Sequence, residues 1–287
     1  MLFNKIKYFA SLIISIYLFH RISKEIYFNI DRFVILKDKF FVLLFFFFLF
    51  LPIFYFLTLK LIILVNHIKK IKFYESFKAT IIAFNYNLFL PAKSGDFLRY
   101  KYLDLKISFT NFFNINVIEK LISFLILFLL VIFSFFFTKF EIPFVINLSF
   151  IYLLSIFLGC LLVLIIILYK LCNIENFKIK KIISLSLFDL TIWFLQFFQI
   201  AVIIEILKID INFYEIIFIF GSAVIAGLIP ISLGGFGVRD YVIFYFLNQI
   251  NLSKDIFLIL LLFNLRYFLP VILSLFISLA SFDNDKQ

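Results

Sequence analysis

Two stretches of this chain put helix-breaking residues beside charges inside otherwise apolar sequence. The later one, Gly227–Asp240, reads GLIPISLGGFGVRD and holds Gly227, Gly234, Gly235 and Gly237, four of the seven glycines present. Pro230 ends an apolar run, the glycines follow, and Arg239 and Asp240 stand side by side before the chain turns apolar again. The earlier one, PAKSGDFLRYKYL, starts at Pro91 and carries Gly95, Asp96, Arg99 and Lys101. Glycine follows proline by four in both, Pro91 to Gly95 and Pro230 to Gly234, and a carboxylate and an arginine come close behind. The order of acid and base differs between the two. A pair of Gly/Pro-interrupted apolar segments, one in each half of a chain, points to a binding site near the middle of a membrane.

The chemistry open to such a place is anion binding. A helix that starts at membrane depth presents free N–H groups and the positive end of its dipole. Arg99 and Arg239 add permanent charge with the bidentate geometry that suits phosphate. Asp96 and Asp240 would neutralise the arginines in the unloaded state or carry a proton. Glu119 and Lys120 add a third charged pair at the start of another apolar run. The candidate head-group ligands on this ground are Arg99, Arg239, Asp96 and Asp240, with Pro91, Gly95, Pro230, Gly234, Gly235 and Gly237 shaping the breaks; Glu119 and Lys120 join them through the resemblance given below. The competing reading makes the pairs interfacial salt bridges that cap helices. Charges attached to broken helices are costly to keep for topology alone, which favours function.

Other chemistry finds no support. There is no His-rich or Asp-rich cluster, no Ser/His/Asp constellation and no nucleotide-binding loop, and the two cysteines, Cys160 and Cys172, match no metal or redox spacing. His20 and His67 are isolated. The expectation is a protein that is not an enzyme and uses no cofactor and no metal. Any driving force would be an ion gradient, or transport would run downhill.

The elements that must carry these residues are membrane helices. Of 287 residues, 65% are hydrophobic, more than a soluble core of this size needs. The 48 phenylalanines reflect in part a nucleotide bias toward A and T, so they say little about mechanism. The net charge of +10 lies in short loops between apolar runs, which fits the positive-inside rule and argues against a nucleic-acid partner. The expected fold is all-α: a polytopic transmembrane helix bundle of about seven or eight membrane segments, two of them broken or re-entrant, in a single integral membrane domain over residues 1–287. Residues 1–39 form an N-terminal segment (Tyr8–Phe19, uncleaved) and a charged loop, and 40–281 the core.

The expected spans are Phe40–Val65 with Pro52 as a kink, Asn116–Thr138, Phe144–Tyr169, Ile182–Leu207, Phe213–Ile229 and Ile256–Ala280. Lys60 is expected to snorkel to the interface. Asp189, Gln196, Gln199 and Glu205 could line a polar cavity or bond neighbouring helices. The basic loops Lys93–Lys106 and Lys170–Lys181 should be cytoplasmic. If the basic stretch Asn66–Lys78 is cytoplasmic too, Ala79–Leu90 cannot cross and is a re-entrant half-helix; the alternative is a short tilted crossing.

Together these residues resemble the flippase-like membrane family that includes the transmembrane region of lysylphosphatidylglycerol synthases. The likeness rests on Pro91, Gly95, Asp96 and Arg99, on Glu119 with Lys120, and on Pro230, Gly234, Gly235 and Gly237 with Arg239 and Asp240. Lys60 sits where the family often has arginine. Aspartate replaces the family's glutamate at Asp96 and Asp240, and lysine replaces arginine at Lys120 and Lys60, which keeps charge but changes reach and geometry. The family's lysyl-transfer activity belongs to a separate soluble domain and is not carried over. The resemblance implies translocation of a polar lipid or lipid-linked precursor between leaflets, with membrane lipids bearing an anionic or phosphate head group as partners and a bacterial or archaeal plasma membrane as location. A permease for a small solute and a noncatalytic accessory subunit of a lipid or glycan pathway are the alternatives. One geometric expectation follows: Arg99 and Arg239 should approach a common polar cavity at membrane depth.

Overall fold

The structure is a computed structural model, and it describes residues 36–66, 69–103, 108–138, 179–228, 237–250 and 255–284, besides isolated positions. The expected segments Tyr8–Phe19 and Phe144–Tyr169 lie outside this set apart from such positions, as do Pro230, Gly234 and Gly235. Among the described residues every regular element is helical: α1 (Phe40–Phe48), α2 (Phe50–Val65), α3 (Phe73–Phe89), a 3-10 helix (Pro91–Leu98), α4 (Arg99–Tyr102), α5 (Phe109–Phe135), α6 (Ile179–Ile206), α7 (Phe213–Gly227), α8 (Val238–Gln249), α9 (Ile256–Leu265) and α10 (Phe268–Asn284). Among the described residues four stretches are long and apolar enough to cross a membrane: Phe40–Val65, Phe109–Phe135, Ile179–Ile206 and Ile256–Ser274. Ile183, Leu187, Leu190, Phe194 and Phe198 are exposed at helical spacing along one face of α6, while Leu185, Asp189, Ile192, Trp193 and Gln199 are buried on the other. An apolar stripe facing outward and polar groups facing inward invert the pattern of a soluble helix. This is an integral membrane protein built as an all-α bundle.

The first break folds into a hairpin. Leu90 is extended (φ −93°, ψ 140°), as the residue before a proline prefers, and Pro91 opens the 3-10 helix. The chain then returns along α3. Gly95 lies so close that a Cβ there would stand 2.7 Å from both the Ala83 carbonyl oxygen and the Asn87 nitrogen. At the far end, Lys69 Nζ donates to the Leu103 carbonyl at 3.1 Å, so the hairpin leaves the membrane beside the point where it entered. Leu103 joins Ile71 and Ala79 in one buried apolar cluster. Ala79–Leu90 is thus the inner part of a re-entrant helix and not a crossing. The basic stretch Lys93–Lys106 is correspondingly not a loop throughout, since its residues to Tyr102 are helical.

The second break makes another hairpin from the opposite side. Asn212 caps α7, accepting from the Glu215 amide at 2.9 Å, while Glu215 accepts from the Asn212 amide at 3.0 Å. Helix α8 runs back along α7, with Phe218 and Phe246 rings 5.0 Å apart near the shared open end. That end lies with the C-terminus of α5, because Tyr214 stacks on Phe137 at 4.8 Å. The opposite end of the bundle gathers the start of α6 and the end of α2, where Lys181 Nζ donates to the Leu64 carbonyl at 3.0 Å. The hairpin of α3 opens at this Leu64 end and the hairpin of α7 at the other, an inverted arrangement of the kind that encloses a midplane site.

One expectation about the spans is corrected. Helix α5 starts at Phe109, where Ser108 accepts from the Asn111 amide at 3.3 Å, and not at Asn116, so Glu119 lies about three turns inside it. The first long span, Phe40–Val65, is interrupted at Leu49 ahead of Pro52, in line with the expected kink, and the last is interrupted at Arg266–Tyr267 ahead of Pro270. Proline has no N–H for the carbonyl four residues earlier and crowds it, which is what breaks each helix there.

Candidate functional site

Six charged side chains from five elements form one row inside the bundle. Lys60 on α2 donates to Asp189 Oδ1 on α6 at 2.7 Å and stands 3.4 Å from Glu119 Oε1 on α5. Arg99 at the start of α4 donates from Nη1 to Glu119 Oε2 at 2.9 Å and from Nη2 to Asp96 Oδ1 at 2.5 Å. Lys120 on α5 pairs with the other Asp96 oxygen. Asn87 Nδ2 on α3 donates to Asp96 Oδ1 at 3.0 Å. Three cations face three carboxylates, so the row is neutral. Lys60, Asp96, Arg99, Glu119 and Asp189 are all no more than 4% exposed, whereas the Lys120 side chain is 42% exposed. The expected snorkelling of Lys60 is therefore wrong. Its carbon stem leads inward, because α6 brings an otherwise uncompensated carboxylate to meet it.

The local sequence explains how Asp96 and Arg99 reach this depth. Pro91 turns the chain, Gly95 lets it lie against the α3 backbone, and the spacing of three puts the two side chains on one face. Both outer nitrogens of Arg99 are taken by carboxylates.

The second charged group stands at the start of α8. Gly237 has φ 90°, a conformation that favours glycine, and its amide donates to Asp240 Oδ2 at 3.2 Å. This closes the first turn of α8 and directs Arg239 toward the break between α9 and α10. There Arg239 donates to Asn264 Oδ1 and, at 3.2 Å, to the Tyr267 hydroxyl. Its Nε lies 3.6 Å from Asp240 Oδ1, to which Asn264 Nδ2 also donates at 3.4 Å. Arg266 donates to the same Tyr267 hydroxyl and lies over the Phe263 ring at 4.0 Å. Asn264, Arg266 and Tyr267 are not among the candidate residues that the sequence points to. The signal that could have found them is Pro270, which marks a third helix break.

One cavity of about 170 Å³ is lined by both groups, including Arg99 and Glu119 from the row and Arg239 and Arg266 from the second break. Arg99 and Arg239 thus share a cavity, as the paired breaks require, in which the charged groups stand among apolar walls from Phe50, Ile53, Phe54, Leu57 and Phe84. Lys60, Asp96, Lys120, Asp189, Gln196 and Gln199 line it too. Asp240 is buried behind Arg239 and is not part of the lining, and Glu205 is exposed away from the site. A second cavity of about 310 Å³ adjoins the first and shares Asp96, Lys120, Ser123 and Trp193 with it. The rest of its lining is largely apolar and comes from α5 and α7, with Leu121, Phe124, Leu127, Val224 and Leu228. Polar and apolar compartments therefore meet at Lys120.

No curated protein matches the chain. The family model for the lysylphosphatidylglycerol synthase TM region matches residues 9–274, which includes both hairpins and every charged residue of the site. The chain belongs to the lysylphosphatidylglycerol synthase transmembrane-region family.

Proposed function

We propose that this protein carries a polar, phosphate-bearing lipid or lipid-linked precursor between the leaflets of a bacterial or archaeal plasma membrane. The observation that carries this reading is the junction of the two cavities. A cavity of ~150 Å³ holds a molecule the size of benzene. The charged compartment, at about 170 Å³, has room for a head group and not for a whole lipid. The apolar compartment beside it, at about 310 Å³, suits the first part of an acyl or prenyl chain. A soluble solute would have no use for the second compartment. Hairpins entering from opposite sides leave the head-group site near the midplane, within reach of both leaflets. The basic end, with Lys69, Lys101 and Lys181, faces the cytoplasm.

The protein acts as a carrier and performs no covalent chemistry. In support, each carboxylate of the buried row is held by a cation, which leaves none placed as a general base. Purified protein in liposomes should accelerate transfer of labelled phospholipid or polyprenyl-phosphate lipid between leaflets. Folded protein that moves none of these lipids faster than empty vesicles do would refute the reading. Uptake of a small solute without lipid transfer would favour a permease.

A further inference from the structure

The two charged groups differ in their balance. The row from Asp189 to Lys120 is neutral within itself. Around the second break, among the described residues, two guanidiniums, Arg239 and Arg266, accompany the carboxylate of Asp240. Arg239 and Arg266 are each 6% exposed, and both line the 170 Å³ cavity. Asp240 is committed to α8 and Arg239: one oxygen accepts from the Gly237 amide, and the other lies by Arg239 Nε and Asn264. Among the described residues no carboxylate is in ion-pair contact with Arg266, and its Nε is buried without a hydrogen-bond partner. What it has is aromatic: the Phe263 ring at 4.0 Å, the Tyr267 ring at 4.6 Å and the Tyr267 hydroxyl. Arg239 stacks on the same two rings at 4.8 and 5.4 Å. Cation–π contacts offset only part of the cost of removing a guanidinium from water. A buried positive charge beside a cavity is compensated when an anion enters.

We infer that Arg239, Arg266 and Tyr267 form an oxyanion site that takes the phosphate group of a ligand, with the Phe263 and Tyr267 rings facing the guanidiniums in its absence. Arg99, whose outer nitrogens are both engaged, belongs to the neutral wall opposite. The site deepens the carrier reading and rests on it for the source of the phosphate, since the same oxyanion chemistry could come from free phosphate.

The test measures binding, separately from transport. Purified protein in detergent is titrated with dioctanoyl-phosphatidylglycerol, with dioctanoylglycerol, which lacks the phosphate, and with inorganic phosphate, by native mass spectrometry and thermal shift. Phosphatidylglycerol should bind and stabilise, and dioctanoylglycerol should do neither. Arg266→Gln should weaken phosphatidylglycerol binding roughly tenfold or more, the loss of one charged hydrogen-bonding partner. Arg266→Lys should fall between Arg266→Gln and the unaltered protein. Tyr267→Phe, which keeps the ring, should weaken the phospholipid alone, and it carries the test if Arg266→Gln does not fold. Inorganic phosphate binding that Arg266→Gln abolishes also supports the oxyanion site and assigns its source to a soluble anion. Equal binding of phosphatidylglycerol by Arg266→Gln, by Tyr267→Phe and by the unaltered protein overturns the site, as does equal binding of the two lipids. Binding lost in Arg266→Gln, with no lipid transfer in vesicles, keeps the site and removes the carrier. Transfer at equal rates with and without Arg266 does the reverse.

Discussion

Replacing Lys60 with methionine tests the buried row most directly. The methionine keeps most of the stem and removes the charge. Asp189, 1% exposed, loses the cation 2.7 Å away and has no other in ion-pair contact among the described residues. Glu119 loses a contact at 3.4 Å but keeps Arg99 at 2.9 Å. Stranding one member of a buried pair costs ~3–5 kcal/mol. At ~2–4 °C per kcal/mol for a chain of this size, Lys60→Met should lower the unfolding temperature by roughly 6–20 °C. Asp189→Asn should cost less, because Lys60 still has Glu119. The double variant leaves neither charge uncompensated, so it should be more stable than the sum of the single losses predicts. The assay is the monodisperse fraction of detergent-solubilised protein after heating. A Lys60→Met shift within ~2 °C of the unaltered protein, less than one kcal/mol, or strictly additive losses in the double variant, would refute the pairing.

Gly95→Ala forces a Cβ to within 2.7 Å of backbone atoms of α3, so the hairpin must open; a loss of ~1–3 kcal/mol is expected, read as a lower unfolding temperature together with slower lipid transfer. Gly237→Ala places a side chain at φ 90° and should cost ~1–2 kcal/mol, and circular dichroism should show the helix content otherwise intact. In a cysteine-free background, cysteines placed at Lys70 and Lys180 should react with a membrane-impermeant reagent from one side, and one at Asp210 from the other. Labelling of all three from the same side would refute the hairpin topology.

How far the site was legible in the sequence depended on how local each contact is. Asp96 and Arg99 are three residues apart and follow a proline and a glycine, so their pairing could be read directly. Arg239 and Asp240 are adjacent and follow a glycine run, so that pair was legible for the same reason, whereas the turn that Asp240 closes on the Gly237 amide was not. Lys60 and Asp189 are 129 residues apart, and no local pattern links them; only the packing of α2 on α6 does. Lys60 near the end of an apolar run looked like an interfacial residue because sequence gives depth along a helix but not the direction a side chain faces. The extent of α3 was missed for a related reason. Its first two turns carry Tyr74, Glu75 and Lys78, which break the apolar pattern, yet an acid in the first turn suits the helix dipole and the helix begins at Phe73. Arg266 was hidden inside an apolar run because one proline in a span usually means a bend, and here it ends a helix next to a charge.

The distance between Lys60 and Asp189 also constrains how the protein is made. Synthesis runs from the N-terminus, so α2 emerges before both carboxylates that meet Lys60, and the pair Asp96 and Arg99 emerges before Glu119 and Lys120. Glu119 arrives with α5, and Asp189 only with α6. A lysine in lipid with no acid beside it is costly, which makes early release of α2 from the insertion machinery unfavourable. Lys60 meets Glu119 when α5 arrives, so α2 must wait, shielded, at least until then, and the row of ion pairs closes with Asp189 as a late step of assembly. A nascent chain stopped before Glu119 should therefore remain crosslinkable to the insertion machinery through a probe at Lys60, and one extended past α6 should not.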